Sequence, residues 1–163
     1  MHLIKNVFKT KKMKQLGNLL WHFPFFGFVT SFFTFLIGGF LVITVIGAPI
    51  GLGLIQHSKF LLSPFSSRMI SDSKLGKKKT LVWDILSIIA FIIYLPIGIL
   101  ASILTIIQIV LLFISIVGIP IAVILSKSLS TYFNPINKIC VSISVAEEIE
   151  KRSASSKVDK MLK

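Results

Sequence analysis

Hydrophobic positions fill two long stretches of this chain, and polar positions gather before, between and after them. No Asp, Glu, Lys or Arg occurs from Gln15 to Ser58, 44 residues, or from Ile85 to Ser126, 42 residues. One helical crossing of a bilayer takes roughly 20 apolar residues, so each stretch has room for two and is too long for one. Backbone in hydrocarbon must satisfy its own hydrogen bonds, which selects helices. The pattern predicts an all-α integral membrane protein with four transmembrane helices in two tandem helical hairpins. The first span begins near Gly17–Trp21 and runs through Phe25 to Ile37, with Thr30, Ser31 and Thr34 offering small hydroxyls for helix contact. Gly38-Gly39 is the turn signal, and the second span runs from Phe40 to about Ser58. The third opens at Val82-Trp83-Asp84 and turns near Ser102 to Gln108, and the fourth covers Ile109 to Leu125.

Divided on this basis, residues 1–16 are a basic arm and 17–65 the first two-helix unit. Residues 66–80 form a basic loop, 81–136 the second unit, and 137–163 a charged tail. In the tail, Val141, Val145 and Ile149 make the stripe of one short helix, while Ile143 makes Val141 to Val145 alternate like a strand. After Arg152 the Ser-Ala-Ser-Ser-Lys composition reads as disordered.

Composition sharpens this picture. The chain of 163 residues is 54% hydrophobic, with mean hydropathy +0.88 and net charge +12. In a soluble protein that charge would suggest nucleic acid. Here the cations flank the apolar stretches, from Lys5 to Lys14, from Lys59 to Lys79, and from Lys127 onward. If each stretch is a hairpin, all three basic segments and both termini share one side, and the positive-inside bias makes it cytoplasmic. Membrane contact, and no nucleic acid, is the expectation. Lys11, Lys12, Lys14, Lys77, Lys78 and Lys79 are candidate contacts for anionic lipid headgroups. Cys140 is the single cysteine, so no intrachain disulfide forms.

A phrase is written twice. Ile43-Thr44-Val45-Ile46-Gly47-Ala48-Pro49-Ile50-Gly51 returns 71 residues later as Ile114-Ser115-Ile116-Val117-Gly118-Ile119-Pro120-Ile121-Ala122, and Pro64 returns as Pro135. The two tryptophans are 62 residues apart, so the first spans are expected to differ in length or turn. With all termini on one side, the duplication reads as a parallel internal repeat.

Asn18-Leu19-Leu20-Trp21 with Gly27, the Ile43–Gly51 phrase, His57, Lys59 and Pro64-Phe65 resemble the YccF family of small bacterial inner-membrane proteins. The resemblance covers roughly residues 17–136. It implies a bacterial inner (cytoplasmic) membrane, multi-pass location and a duplicated domain, and it brings no established activity.

The chemistry on offer is sparse. Proline lacks an N–H, so Pro49 and Pro120 within a helix would free the carbonyls of Val45 and Ile116. Thr44 and Ser115 stand where a hydroxyl could re-satisfy them, and Gly47, Gly118 and Gly51 allow close backbone approach. These residues are either paired hinges or fixed kinks that shape helix packing. His22, His57 and Asp84 read as anchors at the span borders, and Gln108 lies by the far turn. No catalytic constellation, cofactor motif or metal-ligand spacing occurs, so no enzyme and no cofactor is expected. The leading expectation is a structural or accessory membrane protein that binds a partner or anionic lipid. The alternative is a subunit of a homo-oligomeric channel or transporter that uses the paired Gly-x-Pro breaks.

Overall fold

The computed structural model describes residues 2–23, 25–75 and 80–161. The described residues form six α-helices and two short strands, in the order α1 (His2–His22), α2 (Gly27–Ile43), α3 (Ala48–Leu62), β1 (Ser67–Ser71), α4 (Leu81–Ile114), α5 (Ile119–Phe133), β2 (Lys138–Ser142) and α6 (Ile143–Met161). The fold is overwhelmingly helical, with one addition to the expected all-α class. β1 and β2 pair antiparallel into a two-stranded ribbon, from Ser67 opposite Ser142 to Ser71 opposite Lys138.

The chain reverses at other places than the expected turns. α2 packs along α3, and α4 along α5. Gly38-Gly39 is inside α2 and turns nothing. Gly38 faces Gly51 of α3, and a Cβ on it would stand 2.9 Å from the Gly51 carbonyl oxygen. The pair is therefore a close-packing contact, the role small residues play between apolar helices. The turn comes later, at Thr44–Gly47, where the helix gives way to the start of α3. In the second half no turn occurs at 102–108. No glycine or proline stands there to break the helix, and α4 continues for 34 residues to Ile114. The fourth helix is therefore Ile119–Phe133, not 109–125.

The offset of 71 holds for whole elements. α3 and α5 start and end at counterpart residues, as do β1 and β2. It also reaches back into the first helix of each hairpin, where Gly27 answers Gly98 and Thr34 answers Thr105. What differs is continuity: the second half has one long helix, whereas in the first half α1 and α2 meet at 75°. Phe26, with φ 53, stands at that junction in the left-handed region.

Helix lengths do not provide four separate spans. α4 is the one described helix long and apolar enough to cross a membrane alone, and α1 with α2 passes only as a bent pair. α3 and α5 have 15 residues each, about 22 Å at the α-helical rise, short of a hydrocarbon core of about 30 Å.

Two small cores join the halves. Trp21, Phe60, Leu61 and Ile124 form one; Ile50, Ala90 and Ile136 form the other. α6 closes over the ribbon with Ala146 fully buried. It is helical through Met161, past Arg152. Both tail readings find a place, because the strand ends at Ser142 and the helix begins at Ile143.

Candidate functional site

The repeated phrase builds a repeated turn. Thr44 and Ser115 end their helices at φ −83, ψ 125 and φ −95, ψ 122, and Gly47 and Gly118 precede the next helices at φ −78, ψ −12 and φ −78, ψ −17. Pro49 and Pro120 sit in the first turn of α3 and α5, where the N–H would lack an intrahelical partner anyway. They break no helix, which corrects the expectation of hinges or kinks at mid-span. The first turn satisfies its own polar groups. Thr44 Oγ1 donates to the Leu41 carbonyl at 2.8 Å and accepts from Gly47 N–H at 3.2 Å, and Gly51 N–H reaches the Gly47 carbonyl at 2.8 Å. In the second turn Ser115 N–H donates to Leu112 and Gly118 N–H to Ser115. The large side chains that point outward are apolar, with Ile43 82% exposed, Ile114 78% and Ile116 85%, and the exposed Thr44 and Ser115 stand among them. In hydrocarbon an unmet polar group costs several kcal/mol, which the Thr44 hydroxyl avoids by bonding within its own turn.

The turn of the first hairpin also lies beside the ribbon. Pro49, Leu52, Gly53 and Gln56 share a cavity of about 240 Å³ with Asp72, Trp83, Asn137 and Lys138. A Cβ on Gly53 would collide with the Pro135 carbonyl. Gln56 Oε1 accepts from Cys140 N–H at 3.3 Å. α3 therefore runs along the ribbon from its first residues, and its N-terminal end is not a membrane's thickness away.

Counterpart aromatic residues pin each hairpin. Trp21 Nε1 donates to the Leu61 carbonyl at 2.8 Å, and Tyr94 Oη to the Tyr132 carbonyl at 2.8 Å. Leu61 and Tyr132 are repeat counterparts, and Gly27 and Gly98 leave room for the two rings. Trp83 is not the echo of Trp21; its Nε1 donates to Asn137 Oδ1 at 3.1 Å. Of the three α2 hydroxyls, only Ser31 crosses to α3, donating to the Ser58 carbonyl at 2.7 Å, whereas Thr30 and Thr34 bond within their own helix.

The candidate headgroup contacts are only partly described. Lys77, Lys78 and Lys79, and the side chain of Lys11, lie outside the described residues. Lys12 is exposed and Lys14 half-buried. Lys14 lies within Coulombic reach of Lys127, as does Arg68. Lys127 donates to the Pro64 carbonyl at 3.1 Å and stands 5.2 Å over the Phe65 ring. Arg68 meets Glu150 of α6 at 3.0 Å, and Lys74 meets it at 3.9 Å. The patch of Lys14, Arg68 and Lys127 joins three elements distant in sequence, so no local signal announces it. Burial presses the Lys138 ammonium down to about 8, and its Nζ donates to Ser130 Oγ at 2.8 Å.

The border residues separate. His22 Nε2 lies 2.8 Å from the Leu62 carbonyl, and Asp84 is exposed in the first turn of α4. His57 is no interfacial anchor. It is buried between the two units, stacked on Phe60 at 5.6 Å and edge-on to Tyr132 at 5.2 Å, because the crossing of α3 and α5 encloses it. Gln108 is exposed within α4, beside Leu112, Ile121 and Leu125 rather than at a turn. Among the described residues, no three His, Cys, Asp or Glu side chains gather to hold a metal ion.

No curated protein and no solved structure matches the chain. Residues 16–67, from the C-terminal part of α1 to the start of β1, match the YccF family model, an inner membrane component domain, which is the family its Trp21, Gly27 and Ile43–Gly51 residues resemble.

Proposed function

We propose that this chain is an accessory or scaffold protein of the inner membrane. In this reading it embeds both hairpins from the cytoplasmic face and presents the ribbon, α6 and the Lys14–Arg68–Lys127 patch to a membrane-protein partner or to anionic lipid. The observation that carries the reading is the cavity shared by Pro49 with Asp72, Asn137 and Lys138. It keeps the start of α3, two residues past the first hairpin's turn, beside the basic, ribbon-bearing face. A hairpin that crossed the bilayer would put that turn on the opposite side. The short return helices, and turns whose large exposed side chains are apolar, support the same placement. This reading takes both hairpins as re-entrant in place of four crossings, with both termini on the cytoplasmic side.

No catalytic step belongs to this reading. The transport alternative drew on helix breaks at mid-span, and the Gly-x-Pro phrases stand at helix starts. Photo-crosslinking from Val145 and Arg152, exposed on α6, in native membranes tests the proposal. It is expected to recover a membrane protein specific to that face. Recovery of no protein, together with no retention of anionic lipid, would sink it.

A further inference from the structure

We propose that the cleft between α2 and α3 is a binding site for one anionic phospholipid, with an acyl chain in the cleft and the phosphate on Lys59. The site uses none of the candidate headgroup contacts Lys11, Lys12, Lys14 and Lys77 to Lys79, and it rests on the membrane placement given above. The cleft holds about 600 Å³ and is lined by Phe28, Val29, Phe32, Phe35, Leu62 and Lys59. Its two serines offer little: Ser31 spends its hydroxyl on the Ser58 carbonyl at 2.7 Å, and Ser58 Oγ donates to Ile55 at 2.8 Å. That leaves an apolar trough with a single charged group.

Lys59 stands in the last turn of α3, where cations are favoured by the helix dipole, and it is exposed. It makes no ion pair among the described residues. An unpaired ammonium at the rim of an apolar trough is complementary to a phosphate carrying hydrocarbon chains. The repeat supplies an internal contrast. Ser130 is the counterpart of Lys59, and the ammonium there, from Lys138, is already bonded to Ser130 Oγ at 2.8 Å. Among the described residues, the first hairpin has a cation without an ion pair at its cleft, and the second has its ammonium bonded to Ser130.

Native mass spectrometry of the full chain, released from micelles with added phosphatidylglycerol or phosphatidylcholine, tests the site. The wild type is expected to retain one phosphatidylglycerol about fivefold better than phosphatidylcholine, the preference that one interfacial cation confers. Lys59→Gln is expected to lose the preference, Lys59→Arg to keep it, and Val29→Trp, which fills the trough, to retain neither lipid. Circular dichroism and melting of each variant confirm that it is folded. Equal retention of the two lipids by wild type, or undiminished preference in Lys59→Gln, overturns the site while leaving the re-entrant placement untouched. Lysine-to-glutamine changes at Lys12 and Lys14 that remove the preference instead would assign it to the basic arm and also overturn the site.

Discussion

Met69 and Cys140 face each other at the centre of the ribbon and are also repeat counterparts, 71 residues apart. The other pairs map onto one another under the same offset: Ser67 with Ser142 becomes Ser71 with Lys138. A local twofold axis thus passes between Met69 and Cys140 and relates the two helix–helix–strand units. Each unit contributes one strand, so neither has its sheet without the other.

That pairing has a chemical consequence. Asp72 N–H bonds to Asn137 and Ile143 N–H to Ser66, which makes Met69 and Cys140 a non-hydrogen-bonded pair, with side chains on one face and close together. Met69→Cys should therefore cross-link to Cys140 under mild oxidation, read as the loss of both thiols to alkylation. Two alkylated thiols after oxidation would contradict the register.

Adjacent glycines should behave oppositely. A Cβ on Gly38 would meet the Gly51 carbonyl and the Ile55 backbone, whereas one on Gly39 meets nothing within 4 Å. Gly38→Ala is expected to destabilise the hairpin by about 1–3 kcal/mol, the usual cost of overpacking. Gly39→Ala should be neutral or stabilising by about 0.5–1 kcal/mol through helix propensity. Melting temperatures in detergent compare the two.

How much of this was legible follows from what each signal measures. The 71-residue offset, the helical hairpins and the apolar class are written in local pattern. The turn position was not: Gly38-Gly39 looks like a breaker in sequence, and only the facing Gly51 reveals it as a packing notch. The length of α4 was hidden for the converse reason, since no residue near Ser102 announces that the helix continues. His57 looked interfacial because it borders an apolar run; its burial depends on α5, whose path no local pattern gives. Trp21 and Tyr94 are counterparts in role but not in position, because the bend at Phe26 takes more chain than the straight helix does.

Those two aromatic residues should both contribute, Trp21 more. Tyr94→Phe removes one hydrogen bond, an expected loss of about 1 kcal/mol, and Trp21→Phe removes one hydrogen bond and part of a buried ring, an expected loss of about 2 kcal/mol or more. Lying on separate units, the two changes should add. A double variant no less stable than either single one would argue against the duplicated pin.

Lys138 makes stability depend on pH in a defined direction. Its pKa falls from 10.5 when unfolded to about 8 when folded, because burial penalises the ammonium. Between those values the unfolded chain binds more protons, so stability should rise as pH climbs from about 8 toward 10.5. Lys138→Met should flatten this rise. A wild-type melting temperature that falls across the window, with the variant parallel to it, would contradict the assignment.

The central claim is that neither hairpin turn emerges on the far side of the membrane. In a Cys140→Ala background, single cysteines at Ile46 and Ile116 can be tested in spheroplasts with a membrane-impermeant maleimide, then with a permeant one after solubilisation. The account predicts no labelling of either position from the periplasmic side and full labelling once the bilayer is removed. Rapid periplasmic labelling at either position would contradict it.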